Sequence, residues 1–333
     1  MDDADECQAN RRRLGFKTFV GVGILGITAV WWCLYVLSGF WWVADVAMSL
    51  SAYIGVGLFG IGVVALAIWR SWRFVVVLGL SGSVLVMCLL DRRVFAGGVE
   101  SDQTYLRVVT MNLNMGNLHA DELFMLLSGL DDDVVVLVEP RWEVFAAIMD
   151  GRDSLARFPY REWREREGLT TPPVVILSRW AIERDVEVSA WIAVSVVVDR
   201  DKSIGGRFRL VGMHPHSPRS QARWEMGNRV VDGLVDRVGG LGGVDGLPVV
   251  VAGDMNGGPL GYRDRVLKRG LGVRRSSAFF DYRGTYPSNV SMFGLLIDDI
   301  WIDSGFEVVS WSTVEIPGSD HFGVRVGLRN SGF

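Results

Sequence analysis

The chain is defined first by where polar residues are missing. Between Thr18 and Trp69 the only charged residue is Asp45, and the run 74–90 has none. A spanning helix needs about 20 apolar residues to cross about 30 Å of hydrocarbon. The runs 18–40 and 46–69 meet that length, and 74–90 sits at its short end. Trp41, Trp42, Trp69 and Trp72 stand at the run ends, at the headgroup level that amphipathic rings prefer. Gly55, Gly57, Gly60 and Gly62 recur inside the second run and allow close helix contact. The short link 70–73 makes a hairpin of the second and third runs. The pattern therefore predicts a tail over 1–17 and three transmembrane helices over 18–40, 46–69 and 74–90, giving a multi-pass protein of the cell membrane. A cleaved signal peptide fits less well, because the first run is too long, lacks a clear small-residue cleavage site and is followed by further spans.

After a polar linker at 91–104 the texture changes. Short β-branched runs at 106–111, 133–138, 174–177, 192–198, 208–213, 248–252, 297–302 and 323–328 predict strands. Helical patterning covers 118–130 and 223–238, and 239–246 reads as a Gly-rich loop. This alternation over 105–330 predicts an α/β domain.

Charge sets the orientation. Arg11, Arg12, Arg13 and Lys17 precede the first run, and Arg70 and Arg73 separate the second from the third, whereas the first link holds only Asp45. The positive-inside rule then gives a cytoplasmic N-terminus, and three crossings make the domain extracytoplasmic. Arg92 and Arg93 argue mildly the other way, and a third run buried as a core helix would leave the domain cytoplasmic. Of 34 basic and 38 acidic residues, 26 and 32 lie beyond Arg93, so the domain is no basic nucleic-acid clamp. A metal ion could still supply positive charge that composition does not show. Cys7, Cys33 and Cys88 all lie in the first 90 residues, so the domain uses neither disulfides nor a cysteine zinc site.

Polar, metal-capable residues gather at one end of the expected strands. Asn112 and Asn114, Glu139, His214, Asp254 and Asn256 follow strands, Asp298 sits at the start of one, and Asp320-His321 precede the last. In α/β sheets ligands collect where strand ends project side chains from one edge. Each residue alone reads as a turn former as readily as a ligand; seven such sites in one register point to a functional centre.

These motifs resemble the endonuclease/exonuclease/phosphatase superfamily, the DNase I-like fold. Met111-Asn112-Leu113-Asn114 resembles its first motif. Val136-Leu137-Val138-Glu139 is similar to "LQE", with Val138 where Gln is usual. Ile176-Leu177-Ser178-Arg179 resembles "ILSR", and Met213-His214-Pro215 resembles "TH". Gly253-Asp254-Met255-Asn256 is similar to "GDFN", and Gly284-Thr285-Tyr286-Pro287 to "GTWP". Ile297-Asp298-Asp299-Ile300 resembles "IDHI", with Asp299 where His or Tyr is common, and Gly318-Ser319-Asp320-His321 matches "SDH". The set runs in the family's order across 105–330. Three spans ahead of such a domain also resemble the membrane-anchored bacterial branch, which includes proteins associated with teicoplanin resistance.

The resemblance implies a four-layer α/β sandwich with two central mixed sheets and a divalent cation, Mg2+ or Mn2+, at their shared edge. The carboxylate and amide donors independently suit a hard, oxygen-liganded ion. Glu139 is the expected main ligand, supported by Asn112 and Asp320. Asp254 is expected to orient and deprotonate a water, and Asn256 to hold a phosphoryl oxygen or the metal shell. His321 is expected to contact the phosphate with Asp298 fixing its tautomer. His214 is expected to stabilise the phosphoryl oxygen or leaving group, and His216 takes that role if the loop register differs. His119 reads as a surface residue at a helix start, and Asp299 either as a solvated neighbour or as a group tuning Asp298.

The expected function is a membrane-anchored, metal-dependent phosphoesterase. It would cleave a phosphodiester, phosphomonoester or pyrophosphate, with an envelope or lipid-linked substrate favoured because tethering raises local concentration. An extracytoplasmic nuclease is the alternative: nucleic acid is a candidate partner but not the favoured one. A catalytically dead scaffold is disfavoured because Glu139, Asp254 and His321 are all present, and no protein partner is inferable. Substrate choice is expected from loops at 140–170, 258–290 and 303–318. Arg161, Arg164 and Arg166 could meet an anionic group, but alternating with Glu162, Glu165 and Glu167 they read rather as a solvated helix face.

Overall fold

The strands at 134–138 and 174–178 are almost wholly Val, Ile and Leu and are buried on both faces, which demands a covering layer on each side. The computed structural model describes residues 2–91, 106–151, 155–164, 172–185, 192–200, 206–239, 246–278 and 283–331. The expected linker, Asp91 excepted, and most of the Gly-rich loop lie outside these residues. One sheet contains β1 (Leu106–Asn112), β2 (Val134–Val138), β3 (Tyr160–Trp163), β4 (Val174–Ser178), β11 (Phe306–Glu315) and β12 (Phe322–Asn330), in the order β11-β12-β1-β2-β4-β3. The other contains β5 (Ala181–Arg184), β6 (Ala193–Asp199), β7 (Phe208–Met213), β8 (Val249–Asp254), β9 (Arg274–Arg275) and β10 (Asp298–Ile302), in the order β5-β6-β7-β8-β10-β9. Both sheets are mixed: β1–β2 and β7–β8 are parallel pairs and the remaining pairs antiparallel.

The alternation of side chains along each strand divides the core into layers. Val108, Val134, Val136, Ile176, Val196, Leu210, Val250 and Ile300 meet between the sheets. Val109, Val135 and Leu137 face the other way, onto α5 (Ala120–Gly129) and α6 (Trp142–Met149). Val211, Val251 and Trp301 pack under α7 (Gln221–Leu234) and α8 (Tyr262–Leu271). The result is the expected helix–sheet–sheet–helix sandwich.

Three N-terminal helical segments, Arg13–Leu37, Ser51–Trp69 and Trp72–Asp91, are long and apolar enough to cross a membrane. They belong to α1 (Asp2–Leu37), α3 (Ser51–Trp69) and α4 (Trp72–Asp91). The first ends at Leu37 rather than residue 40, where a turn intervenes, and the link beyond it folds as α2 (Trp42–Met48). Val22, Val64, Ile68, Val76 and Leu80 are exposed on these helices, a pattern that soluble surfaces avoid.

The helices also hold the sandwich directly. Gln221 donates to Phe40 O and accepts from Trp42 N, each at 3.2 Å. Tyr53 donates to Gly294 O at 2.8 Å and Met292 O at 3.2 Å. Arg265 reaches Ser38 Oγ at 2.8 Å, Lys268 bonds Asp91, and Leu260 joins the core among the apolar helices.

Three local expectations are corrected. Arg161 and Glu162 lie in β3, not on a helix: Arg161 donates to carbonyls of Phe158 and Ile148, and Glu162 pairs with Arg184. The segment 303–318 is largely the edge strand β11 rather than a loop around the site. Asp299 is fully buried rather than solvated. It points away from Asp298, as strand alternation requires, and binds Ser276 Oγ, Ser277 Oγ and Arg275.

Arg275 is the charge on which that outer core turns. It lies 4.4 Å over the Trp301 ring and donates to Asp264 Oδ1 at 2.8 Å. Burial alone would raise the pKa of Asp264, but Arg275 and Lys268 hold it down at about 2. Asp264→Asn leaves Arg275 buried with a weaker partner set, so it should destabilise the fold by about 3 kcal/mol. Thermal unfolding of the detergent-solubilised chain measures this, and an unchanged Tm would contradict the assignment.

Candidate active site

Register brings the expected residues to one edge. In the β1–β2 ladder Asn112 pairs with Val138, so Glu139 emerges beside it. In the β7–β8 ladder Met213 pairs with Gly253, which sets His214 next to Asp254. Asp254 and Asp298 are direct partners across β8 and β10. Gly253 is required where it stands. Its φ is 146°, and a Cβ there would lie 2.0 Å from Met213 O. Asn114, Glu139 and Asn256 also have positive φ, a conformation that tight strand exits impose.

These ends enclose a cleft of about 450 Å³, whose walls include Asn112, Glu139, His214, Asp254, Asn256 and His321. At its base Asp254 is 2% exposed. It accepts from Asn112 Nδ2 at 3.0 Å and from the Asn256 backbone N–H at 2.7 Å. Burial and the charge of Asp298 push its pKa up to about 6, toward the range of a general base at neutral pH.

His321 Nδ1 lies 2.8 Å from Asp298 Oδ2. A carboxylate acceptor there keeps the proton on Nδ1 and leaves Nε2 for the cleft. Burial works against the imidazolium, but the charges of Asp298, Asp254 and Asp320 outweigh it and raise the pKa to about 9. Thr285 Oγ1 holds Asp298 from behind by accepting its backbone N–H at 3.1 Å. Tyr286 packs its ring 4.8 Å from that of His321. Ser319 fixes the approach by donating to Asn112 O at 2.7 Å and accepting from His321 N at 3.1 Å.

His214 Nε2 lies 3.0 Å from Glu139 Oε1. Its Nδ1 is 3.7 Å from Asp254 Oδ2 and, although buried, has no hydrogen-bond partner among the described residues. Burial would lower the His214 pKa, but Glu139, Asp254 and Asp298 reverse the sign and raise it. The His214 bond in turn lowers that of Glu139 against the opposing effect of burial. His216 lines the same cleft. His119 is exposed and pairs with Glu122 at 3.3 Å. Asn256 turns its amide inward, onto Pro215 O at 3.1 Å and Asp254 Oδ2 at 3.4 Å. Asn114 links Asn112 to Asp320 through bonds of 3.0 and 2.9 Å.

The donor chemistry fits a hard divalent cation. Glu139 keeps 31% of its side chain exposed, and the carboxylate of Asp320 and the amide oxygen of Asn112 are further oxygen donors. Among the described residues Asp254, Asp298 and His321 form a further group whose ligand atoms lie within 4.8 Å of one another and could hold an ion. Within that group His321 Nδ1 is already engaged by Asp298 Oδ2, which leaves Nε2 facing the cleft.

Arg219 and Arg223 on the cleft wall and Arg263 beneath it escaped the sequence reading. Arg219 and Arg223 carry no motif, and Arg263 lies in the stretch 258–290, expected as a loop, which folds in part as α8.

Comparison with known proteins agrees with this geometry. The model of the endonuclease/exonuclease/phosphatase family matches residues 109–321. The catalytic domain of human nocturnin, solved with a bound sulfate anion, superposes with a TM-score of 0.51 at 14% identity, over 68% of this chain and 94% of that one. A functionally unknown conserved protein from Enterococcus faecalis gives 0.51 at 15%, over 68% and 100%. The endonuclease domain of the telomere-specific retrotransposon TRAS1 gives 0.50 at 13%, over 68% and 99%. At these identities the likeness is one of fold. No curated protein matches the chain by sequence.

If Asp298 acts only through His321, their losses should not add. On a soluble phosphodiester, His321→Ala should lower kcat/KM about a hundredfold or more, and Asp298→Asn somewhat less. The double variant should match His321→Ala alone, with circular dichroism confirming the fold. Strictly additive losses would mean the two residues act separately.

Proposed function

This chain belongs to the endonuclease/exonuclease/phosphatase family, and from that premise we propose that it is a membrane-anchored, divalent-metal-dependent phosphoesterase working at the extracytoplasmic face of the cell membrane. Enzymes of this family hydrolyse phosphoester bonds and use divalent metals. The observation that carries the reading is the meeting of Asp254, the His321–Asp298 pair and Glu139 in one cleft.

Hydrolysis needs an activated water, neutralised phosphoryl charge and help for the leaving oxygen. Asp254, fixed by Asn112 and Asn256, accepts the proton of the attacking water. His321, charged through Asp298, donates from Nε2 to a phosphoryl oxygen. His214, a charged ring between Glu139 and Asp254, supports the leaving oxygen, and Asn256 holds Asp254 in place through its backbone and amide N–H groups. Glu139, with Asn112 and Asp320 in support, would hold Mg2+ or Mn2+, which supplies charge neutralisation when bound.

The substrate we propose is an envelope or lipid-linked phosphoester. Tyr53, at the start of α3, holds the carbonyls of Met292 and Gly294, in the segment that follows Tyr286 of the cleft wall. On that segment Val290, Met292 and Phe293 are 49, 68 and 73% exposed, an apolar surface suited to the headgroup boundary. The orientation rests on the basic clusters at 11–13 and 70–73, and the three spans support placement in the membrane-anchored branch that includes teicoplanin-resistance proteins. A nuclease is the second reading: Arg219 and Arg223 on the cleft wall favour it, and the acidic excess beyond Arg93 opposes it.

The full chain in nanodiscs should hydrolyse bis(p-nitrophenyl) phosphate with magnesium or manganese, stop in excess chelator and recover on metal addition. Glu139→Gln should need about tenfold more metal or greater for half-maximal rate, with the fold intact. Equal hydrolysis in excess chelator would overturn the metal assignment.

A further inference from the structure

Asp45 is the only charge in 52 residues of apolar sequence, 18–69, and it is 5% exposed. A carboxylate in such surroundings must find donors, and it finds them in the catalytic domain. Its Oδ2 accepts from Trp224 Nε1 at 2.7 Å, and its Oδ1 accepts from the backbone N–H of Tyr262 at 2.6 Å. Tyr262 is the first residue of α8, and Gly261 at the cap position has no side chain to offer. The capping oxygen for α8 thus comes from 217 residues upstream, on the membrane side.

The next residue of α8 carries the consequence. Arg263 is 1% exposed, and its guanidinium donates to Met255 O, to Asn256 O at 3.3 Å and to His216 O at 2.8 Å. Those carbonyls belong to the two segments that leave β8 after Asp254 and β7 after Met213. The same β8 exit touches the anchor itself, since a Cβ on Gly258 would lie 2.6 Å from Ser49 Cα.

We propose that Asp45 is a positioning residue: through the N-terminus of α8 and Arg263 it fixes the catalytic segments 214–216 and 254–256, so the membrane helices form part of the catalytic unit. The effect on turnover rests on the phosphoesterase reading; the effect on loop order does not.

The test uses the full chain in nanodiscs, with two readouts. Asp45→Ala should lower kcat on bis(p-nitrophenyl) phosphate about tenfold with KM within twofold, because misplacement costs rate more than binding. Amide hydrogen exchange across 214–218 and 254–258 should quicken in the same variant. Asp45→Asn, which keeps the shape and one acceptor, should fall between it and wild type. Gln221→Ala removes other docking bonds but leaves the Asp45–Tyr262 contact, and should change neither readout. Unchanged exchange in both segments in a folded Asp45→Ala chain would overturn the proposal, as would an equal effect in Gln221→Ala. A wild type inactive on the probe would instead count against the phosphoesterase reading, and exchange would still decide the role of Asp45.

Discussion

Two carboxylates opposed across one rung of a sheet govern this site. Asp254 and Asp298 are direct partners on antiparallel strands, and both are buried. Like charges so placed repel, and burial strengthens the repulsion. The neighbourhood is arranged to offset it. His321 sits on Asp298, Asn112 and the Asn256 backbone hold Asp254, and His214 stands 3.7 Å from the same carboxylate. Burial and that repulsion raise the pKa of Asp254, and attraction to Asp298, Asp254 and Asp320 raises that of His321 against burial, the directions that the proposed base and charged imidazole require.

The second constraint is the placement of that rung relative to the apolar helices. The β8 exit rests on Ser49, α8 is capped by Asp45, and the segment after Tyr286 hangs from Tyr53. The segments that shape the cleft are thereby the ones seated on the apolar N-terminal helices. A flexible tether would only raise local concentration; these contacts also fix orientation.

Much of this was legible in the sequence because each signal was local. Continuous Val-rich runs mark doubly covered strands, and residues 208–213 matched the observed strand at both ends. The polar residues after those runs converge because register is periodic. What stayed hidden depends on distant partners. β9 and β5 are short edge strands with little pattern of their own, and β11 alternates buried and half-exposed positions that read as a loop. The Arg161–Glu162 stretch alternates charges in a way that suits a strand or a helix, and only its pairing with β4 decides. Asp45 could be read as a loop acid at a membrane boundary, because Trp224 and Tyr262 lie about 180 and 217 positions away.

The central claim is that the Asp254–Asp298 rung forms a phosphoesterase centre serving the bilayer that anchors it. The direct measurement reconstitutes the full chain with a labelled polyprenyl diphosphate, either in its own nanodiscs or in separate protein-free vesicles. Product should form from lipid in the shared bilayer, not from the separate vesicles, and Asp254→Asn should abolish it. Equal hydrolysis in both arrangements, or an active Asp254→Asn chain, would contradict the account.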